Sequence, residues 1–246
     1  MIMRISVTVH LIDDLTGLAV TGSNARVWIE KQKPPIKKDG GVSVFTDLPE
    51  GRYTIIAEGG QYARTETVCT VNAEGCTNIT IRLVPNRVYP VPSDAVRIEG
   101  RAFPRAAVRI WQSDRTSALK LLSDAEKGSS VIGIYTNSEI NIVGKLLKIA
   151  SSADKSEYIR VLAVGNKERS EYILDRELIA DYPKIGTAVM QVSECRADDN
   201  GDFMLLIKKG SGDALVCEAE TAENNTNIQK NLDLGGKTCI KADLTK

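Results

Sequence analysis

The chain has 246 residues, long enough for two or three small domains. Lysine plus arginine and aspartate plus glutamate both total 32, so the formal net charge is zero. That balance argues against nucleic acid as the main partner, which needs a basic surplus or a basic face, and no apolar run approaches the length of a membrane span. The N-terminus enters an alternating pattern at once, without a basic region, an apolar stretch and a small-residue cleavage site. The expectation is an intact chain without a secretory leader, made in the reducing cytoplasm. Five cysteines (Cys69, Cys76, Cys195, Cys217, Cys239) stand at irregular spacing with no C-x-x-C, and His10 is the only histidine. Structural zinc is therefore not expected, nor any other cofactor, and free thiols are favoured over a Cys69–Cys76 bridge.

Helix signals are scarce, while short apolar runs and polar turns recur about every ten residues, the pattern of an all-β protein. In the first unit, Ile5, Val7, Val9 and Leu11 alternate onto one face, with Ser6, Thr8 and His10 on the other. Asp13 to Gly17 is a turn, and Ala25, Val27 and Ile29 mark a second strand. Lys31 to Gly41, with Pro34-Pro35 and four lysines, reads as an exposed loop. Val42 to Thr46 is a third strand, and Asp47-Leu48-Pro49-Glu50-Gly51 turns the chain into Arg52 to Ala57. Thr65–Val71 and Thr77–Leu83 close the unit. Pro85 to Pro92 holds three prolines in eight residues, and residues 86–92 are expected to be a stiff, extended linker.

This order resembles the carboxypeptidase regulatory-like, or transthyretin-like, β-sandwich modules, most clearly over Ala25 to Ala57. Val96 to Trp111 resembles the opening of the same module again. Its expected continuation, a polar turn followed by an aromatic strand, comes only at Asp198-Asp199-Asn200-Gly201-Asp202-Phe203-Met204-Leu205, where Asn200-Gly201 supplies the turn and Phe203, Leu205 and Ile207 alternate onto one face. The intervening residues read as an insertion, which costs little when made in an exposed loop. Within it, Val131–Tyr135, Gly144–Ile149, Tyr158–Val164, Tyr172–Asp175 and Thr187–Val192 look like strands, with Leu119–Leu122 a further one, and a chain this short most simply closes as a small SH3-like barrel. The resulting expectation is two β-sandwich domains with a small barrel inserted into the second: 1–85 a first sandwich, 86–92 a linker, 93–114 plus 194–236 a second sandwich, 115–193 the barrel, and 237–246 a C-terminal arm or edge strand.

Candidate chemistry is thin. Asp198, Asn200 and Asp202 have the spacing of a calcium loop, but the glycine is misplaced and Lys209 stands where a bidentate glutamate belongs, so a β-turn is favoured. No G-x-S-x-G occurs to build a hydrolase on His10. Glu157, Asp175 and Glu177 could supply a carboxylate pair for glycoside hydrolysis, against which stands an aromatic content of only 5%. Asn78 and Asn224 fit the glycosylation pattern, read as accidental in a cytoplasmic chain. His10, Trp28 and Trp111 are the candidate partner contacts, with packing in a core or rim the favoured alternative for each tryptophan.

These readings disfavour an enzyme. Strings of small β modules look like parts of a large assembly, most simply a phage tail, baseplate or contractile-injection-like particle. Such a part would have other subunits as its partners, would not bind nucleic acid or membrane, and would be built into a virion-like particle after synthesis in the cytoplasm. The alternative is a surface adhesin or a carbohydrate- or protein-binding module.

Overall fold

The structure, a computed structural model, describes residues 3–22, 24–73, 75–112, 119–137, 140–152, 154–209, 214–221 and 227–245. It is all-β, and divides into two compact units, Met1–Pro90 and Val91–Lys246.

The first unit contains β1 (Ile5–Asp13), β2 (Arg26–Ile29), β3 (Ile36–Lys38), β4 (Val42–Thr46), β5 (Gly51–Gly59), β6 (Tyr62–Val71) and β7 (Thr77–Leu83). They form two sheets, ordered β3-β4-β1-β7 and β2-β5-β6. Strand β4 runs antiparallel to β1, whereas β7 runs parallel to it, Val7 opposite Thr77 through Asp13 opposite Leu83. The period-2 alternation buries Val7, Val9 and Leu11 on β1, Val27 and Ile29 on β2, and Ile55 and Ala57 on β5. Leu48 is buried in the turn after β4, where its N–H donates to Ser6 Oγ at 3.0 Å. The lysine-rich loop contains β3, an exposed three-residue edge strand paired with β4.

The stretch 86–92, expected as a stiff, extended linker, begins with residues that pack in the first unit. Asn86 bonds the backbone of Gln61 and Gly60, and Tyr89 is buried against Tyr62, with ring centroids 5.7 Å apart. The reason is Asp13. Its Oδ2 accepts the hydroxyls of Tyr62 (2.8 Å) and Tyr89 (2.6 Å), while its Oδ1 accepts the N–H groups of Leu15 and Thr16. Burial and this carboxylate both push the two phenols above their ordinary pKa.

The second unit contains β8 (Ala95–Arg101), β9 (Ala107–Gln112), β10 (Lys120–Leu121), β11 (Val131–Tyr135), β12 (Leu146–Ala150), β13 (Ser156–Val164), β14 (Glu171–Leu174), β15 (Ala188–Arg196), β16 (Asp202–Lys208), β17 (Ala214–Glu220), β18 (Asn227–Asp233) and β19 (Cys239–Asp243). One sheet is β16-β8-β19, and the other has nine strands ordered β10-β11-β14-β13-β12-β15-β9-β17-β18. Without the guest strands β10 to β15, the pairing repeats that of the first unit. Strand β8 stands in for β1, β16 for β4, β19 for β7, and β9-β17-β18 for β2-β5-β6.

Phe203 lies opposite Gly100 and Leu205 opposite Ile98, so the two stretches separated by about a hundred residues are neighbours in one sheet. Strand β16 is buried more completely than its alternation predicts, because Met204 and Leu206 are covered as well as Phe203 and Leu205. Residues 239–243 are not a protruding arm. Strand β19 lies parallel to β8, with Ile240, Ala242 and Leu244 buried. Gly100 permits this close approach, since a Cβ there would lie 1.7 Å from the Ala242 carbonyl oxygen.

The guest strands curl around a core of their own, including Leu121, Ile134, Leu147, Ile149, Ile159, Val161 and Tyr182. They are nevertheless continuous with the host sheet. Strand β15 is nine residues long, and pairs with guest strand β12 over Ala188–Val192 and with host strand β9 over Ser193–Arg196. The expected barrel thus shares a strand with its host, because β15 runs straight from one into the other.

Candidate functional site

Among the described residues, a dense polar cluster lies where guest and host share this sheet. Val108 and Ile110 of β9 point into the host core and are fully buried. Arg109 and Trp111, which alternate with them, point to the opposite face. On that face they meet Glu194 and Val192 of β15, Val216, Glu218 and Glu220 of β17, Leu146 and Lys148 of β12, and Tyr158 and Arg160 of β13. Trp111, Leu146, Val192 and Val216 form a small buried apolar group, with Tyr158 and Met190 packed against it.

Arg109 is directly opposite both Glu194 and Glu218 across its two neighbouring strands. Its Nε donates to Glu194 Oε2 at 2.8 Å, and Nη1 donates to Glu220 and lies 3.6 Å from Glu218 Oε1. The Tyr158 hydroxyl donates to Glu218 Oε1 at 2.8 Å, while Lys148 Nζ lies 3.7 Å from Glu218 Oε2 and 3.2 Å from the Tyr158 hydroxyl. Rings complete the arrangement. Lys148 Nζ is 4.0 Å from the centre of the Trp111 ring, Arg109 lies 4.3 Å over Tyr158, and the two rings meet edge to face at 6.2 Å. Arg160 adds a second cation on Glu194, at 3.2 Å.

The electrostatics follow from this geometry. Burial alone would lower the Arg109 pKa, but the bonds to Glu194 and Glu220 outweigh it and hold the guanidinium above its ordinary value. Burial raises Tyr158, and Glu218 raises it further. Burial lowers Lys148, a change that Glu218 opposes and Arg109 reinforces. The acids are matched by cations and a phenol, an arrangement that fixes strands in place rather than holding a base or nucleophile ready for a substrate.

The other candidate residues are dispersed. His10 is exposed on β1, opposite Val42 on one side and Thr80 on the other. Trp28 is half-buried on edge strand β2, flanked by the guanidinium groups of Arg26 at 5.0 Å and Arg64 at 5.9 Å. Trp111, a candidate partner contact, is instead 5% exposed, because its alternation away from the host core aims it into the junction cluster. Asp198 Oδ1 accepts the N–H groups of Asn200 and Asp202, both at 2.9 Å, so the would-be calcium ligand closes a turn. Among the described residues no group of three or more His, Cys, Asp or Glu is arranged to hold a metal ion.

Glu157 is buried and accepts the Ile179 N–H at 3.1 Å, and the buried Tyr182 leans on it. Asp175 accepts the Arg160 N–H at 2.8 Å, and Glu177 is exposed. Asn78 is exposed on β7, and Asn224 lies outside the described residues. All five cysteines are free. Arg109, Lys148, Tyr158 and Glu218 escape sequence reasoning because they come from four separate strands, with Arg109 and Glu218 on opposite sides of the guest in the chain. The one local signal is a charge inside an apolar run, as in Val108-Arg109-Ile110 and Cys217-Glu218-Ala219.

No family model and no curated protein matches the chain. Among solved structures, the shaft pilin SpaA from Lactobacillus rhamnosus GG is 10% identical, with 100% of this chain and 99% of that chain covered and a TM-score of 0.24. A variant of BcpA, the major pilin subunit of Bacillus cereus, is 8% identical, with 99% of each chain covered and a TM-score of 0.28. The Bacillus anthracis TIE protein is 9% identical, with 98% of this chain and 50% of that chain covered and a TM-score of 0.28. No helix among the described residues is long and apolar enough to cross a membrane.

Proposed function

We propose that the chain is a non-enzymatic structural component of a multi-subunit assembly, with two β-sandwich units as a spacer and the inserted strands as the part that meets a partner. The observation that carries this reading is the commitment of the acids. Glu218, Glu157, Asp13 and Asp198 each accept internal donors that fix strands or turns, which leaves them occupied rather than poised for proton transfer. The repeated pairing order supports treating 93–114 plus 194–236 as a second sandwich, with β19 as its closing strand. It also accords with the resemblance to carboxypeptidase regulatory-like modules.

Two settings suit such a component: a phage tail, baseplate or contractile-injection-like particle, and a surface adhesin or binding module. The second is favoured by a row of apolar side chains exposed on adjacent guest strands. Val131 (41% exposed) on β11 lies opposite Ile173 (38%) on β14, with Tyr135 (56%) further along β11 and Leu162 (50%) on β13, the next strand. The test is size fractionation of the native source, with surface material separated from cytosol. Recovery in high-mass assemblies is the expected result, and recovery only as a free cytosolic monomer overturns the reading.

A further inference from the structure

In both units the first and the last strand of the sandwich are hydrogen-bonded neighbours and run parallel. In the first unit β1 and β7 pair over seven residues, Val7 opposite Thr77 to Asp13 opposite Leu83, and the Asp14 N–H extends the ladder to the Leu83 carbonyl at 3.0 Å. In the second unit β8 and β19 pair over five residues, Arg97 opposite Cys239 to Arg101 opposite Asp243. That ladder is extended at both ends, by the Arg97 N–H on the Thr238 carbonyl at 2.9 Å and the Leu244 N–H on the Arg101 carbonyl at 2.7 Å.

This direction decides how each unit responds to force. When the strands are parallel, the N-terminal end of the first and the C-terminal end of the last lie at opposite ends of the ladder. A pull along the chain then shears the ladder, and its hydrogen bonds resist together. With antiparallel terminal strands the two ends would lie together, and the bonds would open one at a time. Buried side chains anchor the loaded strands: Val7, Val9, Leu11, Ile81 and Leu83 in the first unit, and Ile98, Ile240, Ala242 and Leu244 in the second.

The placement of the guest adds a second element. The loaded ladder of the second unit belongs to the sheet β16-β8-β19, whereas all the guest strands belong to the nine-stranded sheet. The guest enters after β9 and returns before β16, so backbone tension passes from β8 to β19 without crossing it.

We infer that the chain is a tension-bearing element in which each sandwich takes end-to-end force as shear between its terminal strands, while the inserted strands are held off the path of that force. This deepens the structural reading above and rests on it. The guest's contact face keeps its shape while the backbone on either side is loaded.

Single-molecule stretching of the full chain provides the test, using two attachment geometries. In the first, the handles are at the two chain termini. In the second, one handle is at the N-terminus and the other is on the Cys76 thiol, which is exposed beside the start of β7, in a Cys239→Ser background that removes the other exposed cysteine. The second geometry pulls the N-terminal ends of the parallel β1 and β7 apart, and so opens the ladder bond by bond. The expected result is a rupture force for the first unit lower by roughly twofold or more in the second geometry, because bonds that shared the load are broken singly. Between the termini, rupture of the second unit should not be preceded by a step of roughly 250 Å, the extended length of residues 119–192 at about 3.4 Å per residue. Equal forces in the two geometries, or an earlier guest-sized step, would overturn the inference. Neither outcome alters the fractionation result, so failure of the tension role is distinguishable from failure of the assembly reading.

Discussion

Tyr158 and Glu218 are joined by a 2.8 Å hydrogen bond although three strands lie between theirs in the sheet. In a flat sheet four strand spacings would separate them by roughly 19 Å. The bond closes because the nine-stranded sheet bends toward this face and both side chains reach across it, so one phenol ties a guest strand to a host strand. Tyr158→Phe leaves the ring in place but deprives the buried Glu218 of its donor. The expected cost is about 1–3 kcal/mol in urea unfolding, with faster hydrogen exchange in β12 and β13 than in β8. Arg109→Met should cost more, about 3–5 kcal/mol, because Glu218 is then buried beside a single lysine. If both variants unfold at the wild-type midpoint, the cluster does not hold guest to host.

Gly100 sets the closing of the second sandwich. A methyl group there meets the Ala242 carbonyl oxygen at a distance no real contact allows. Gly100→Ala should displace β19, lower stability by roughly 1–3 kcal/mol as an overpacked site does, and open residues 239–243 to hydrogen exchange and proteolysis. Gly60→Ala, with open space around its Cβ position, serves as the control and should change neither. Retention of β19 protection in Gly100→Ala would show that the β8–β19 pairing can move aside at no cost.

Asp13 unites three segments of the first unit by accepting from Tyr62, Tyr89 and the turn at Leu15 and Thr16. Tyr62→Phe and Tyr89→Phe should each cost about 1–3 kcal/mol. The double variant should depart from additivity, because both hydroxyls share one carboxylate oxygen. Limited proteolysis supplies a local readout: Tyr89→Ala should expose 85–92 to cleavage, whereas Val88→Ala should not, since Val88 is already 70% exposed. Strict additivity together with unchanged cleavage would remove Asp13 as the anchor of this segment.

Strand positions were legible wherever apolar alternation met turn chemistry. Val7, Val9 and Leu11 declared β1, Asn200-Gly201 announced β16, and the five principal guest strands emerged from their apolar runs with ends shifted by only a few residues. Pairing is where local pattern ran out. Nothing near Cys239 says that it joins a sheet beside Arg97, because that pairing is made by a glycine far upstream whose missing side chain is the only trace it leaves. Shared strand β15 was hidden for a similar reason. Its apolar and polar residues continue one alternation through Val192 and Glu194, and the change of partner from β12 to β9 occurs in three dimensions only. The junction cluster was the least legible part. Arg109 and Glu218 read individually as charges on an outer sheet face, and only the bend of the sheet brings Tyr158 and Lys148 over them.

The buried acids of high pKa set the alkaline limit of the fold. Burial pushes the Cys195 and Cys217 thiols up to about 12 from an ordinary 9.0, Glu194 and Glu218 adding to the effect. Burial likewise raises Tyr62, Tyr89, Tyr158 and Tyr182 above 10.0. A group whose folded pKa lies above its unfolded one holds its proton longer in the folded state. Its stabilisation is complete below the unfolded value and is lost as pH rises toward the folded one. The loss should therefore begin near pH 9, where unfolded thiols ionise, and steepen above pH 10 as unfolded phenols follow. Lys148 acts in the opposite sense. Its lowered pKa disfavours folding while the unfolded lysine is protonated, and that penalty fades as pH approaches 10.5, but one lysine is set against three thiols, Cys69 also being raised by burial, and four phenols. Urea midpoints between about pH 8 and 11 should fall continuously, and Cys217→Ala should flatten the first part of the fall while Tyr158→Phe flattens the second. A midpoint constant to pH 11 would mean that these groups reach water in the folded state, against the full burial of Cys217 and the hydrogen bond that Tyr158 gives to Glu218.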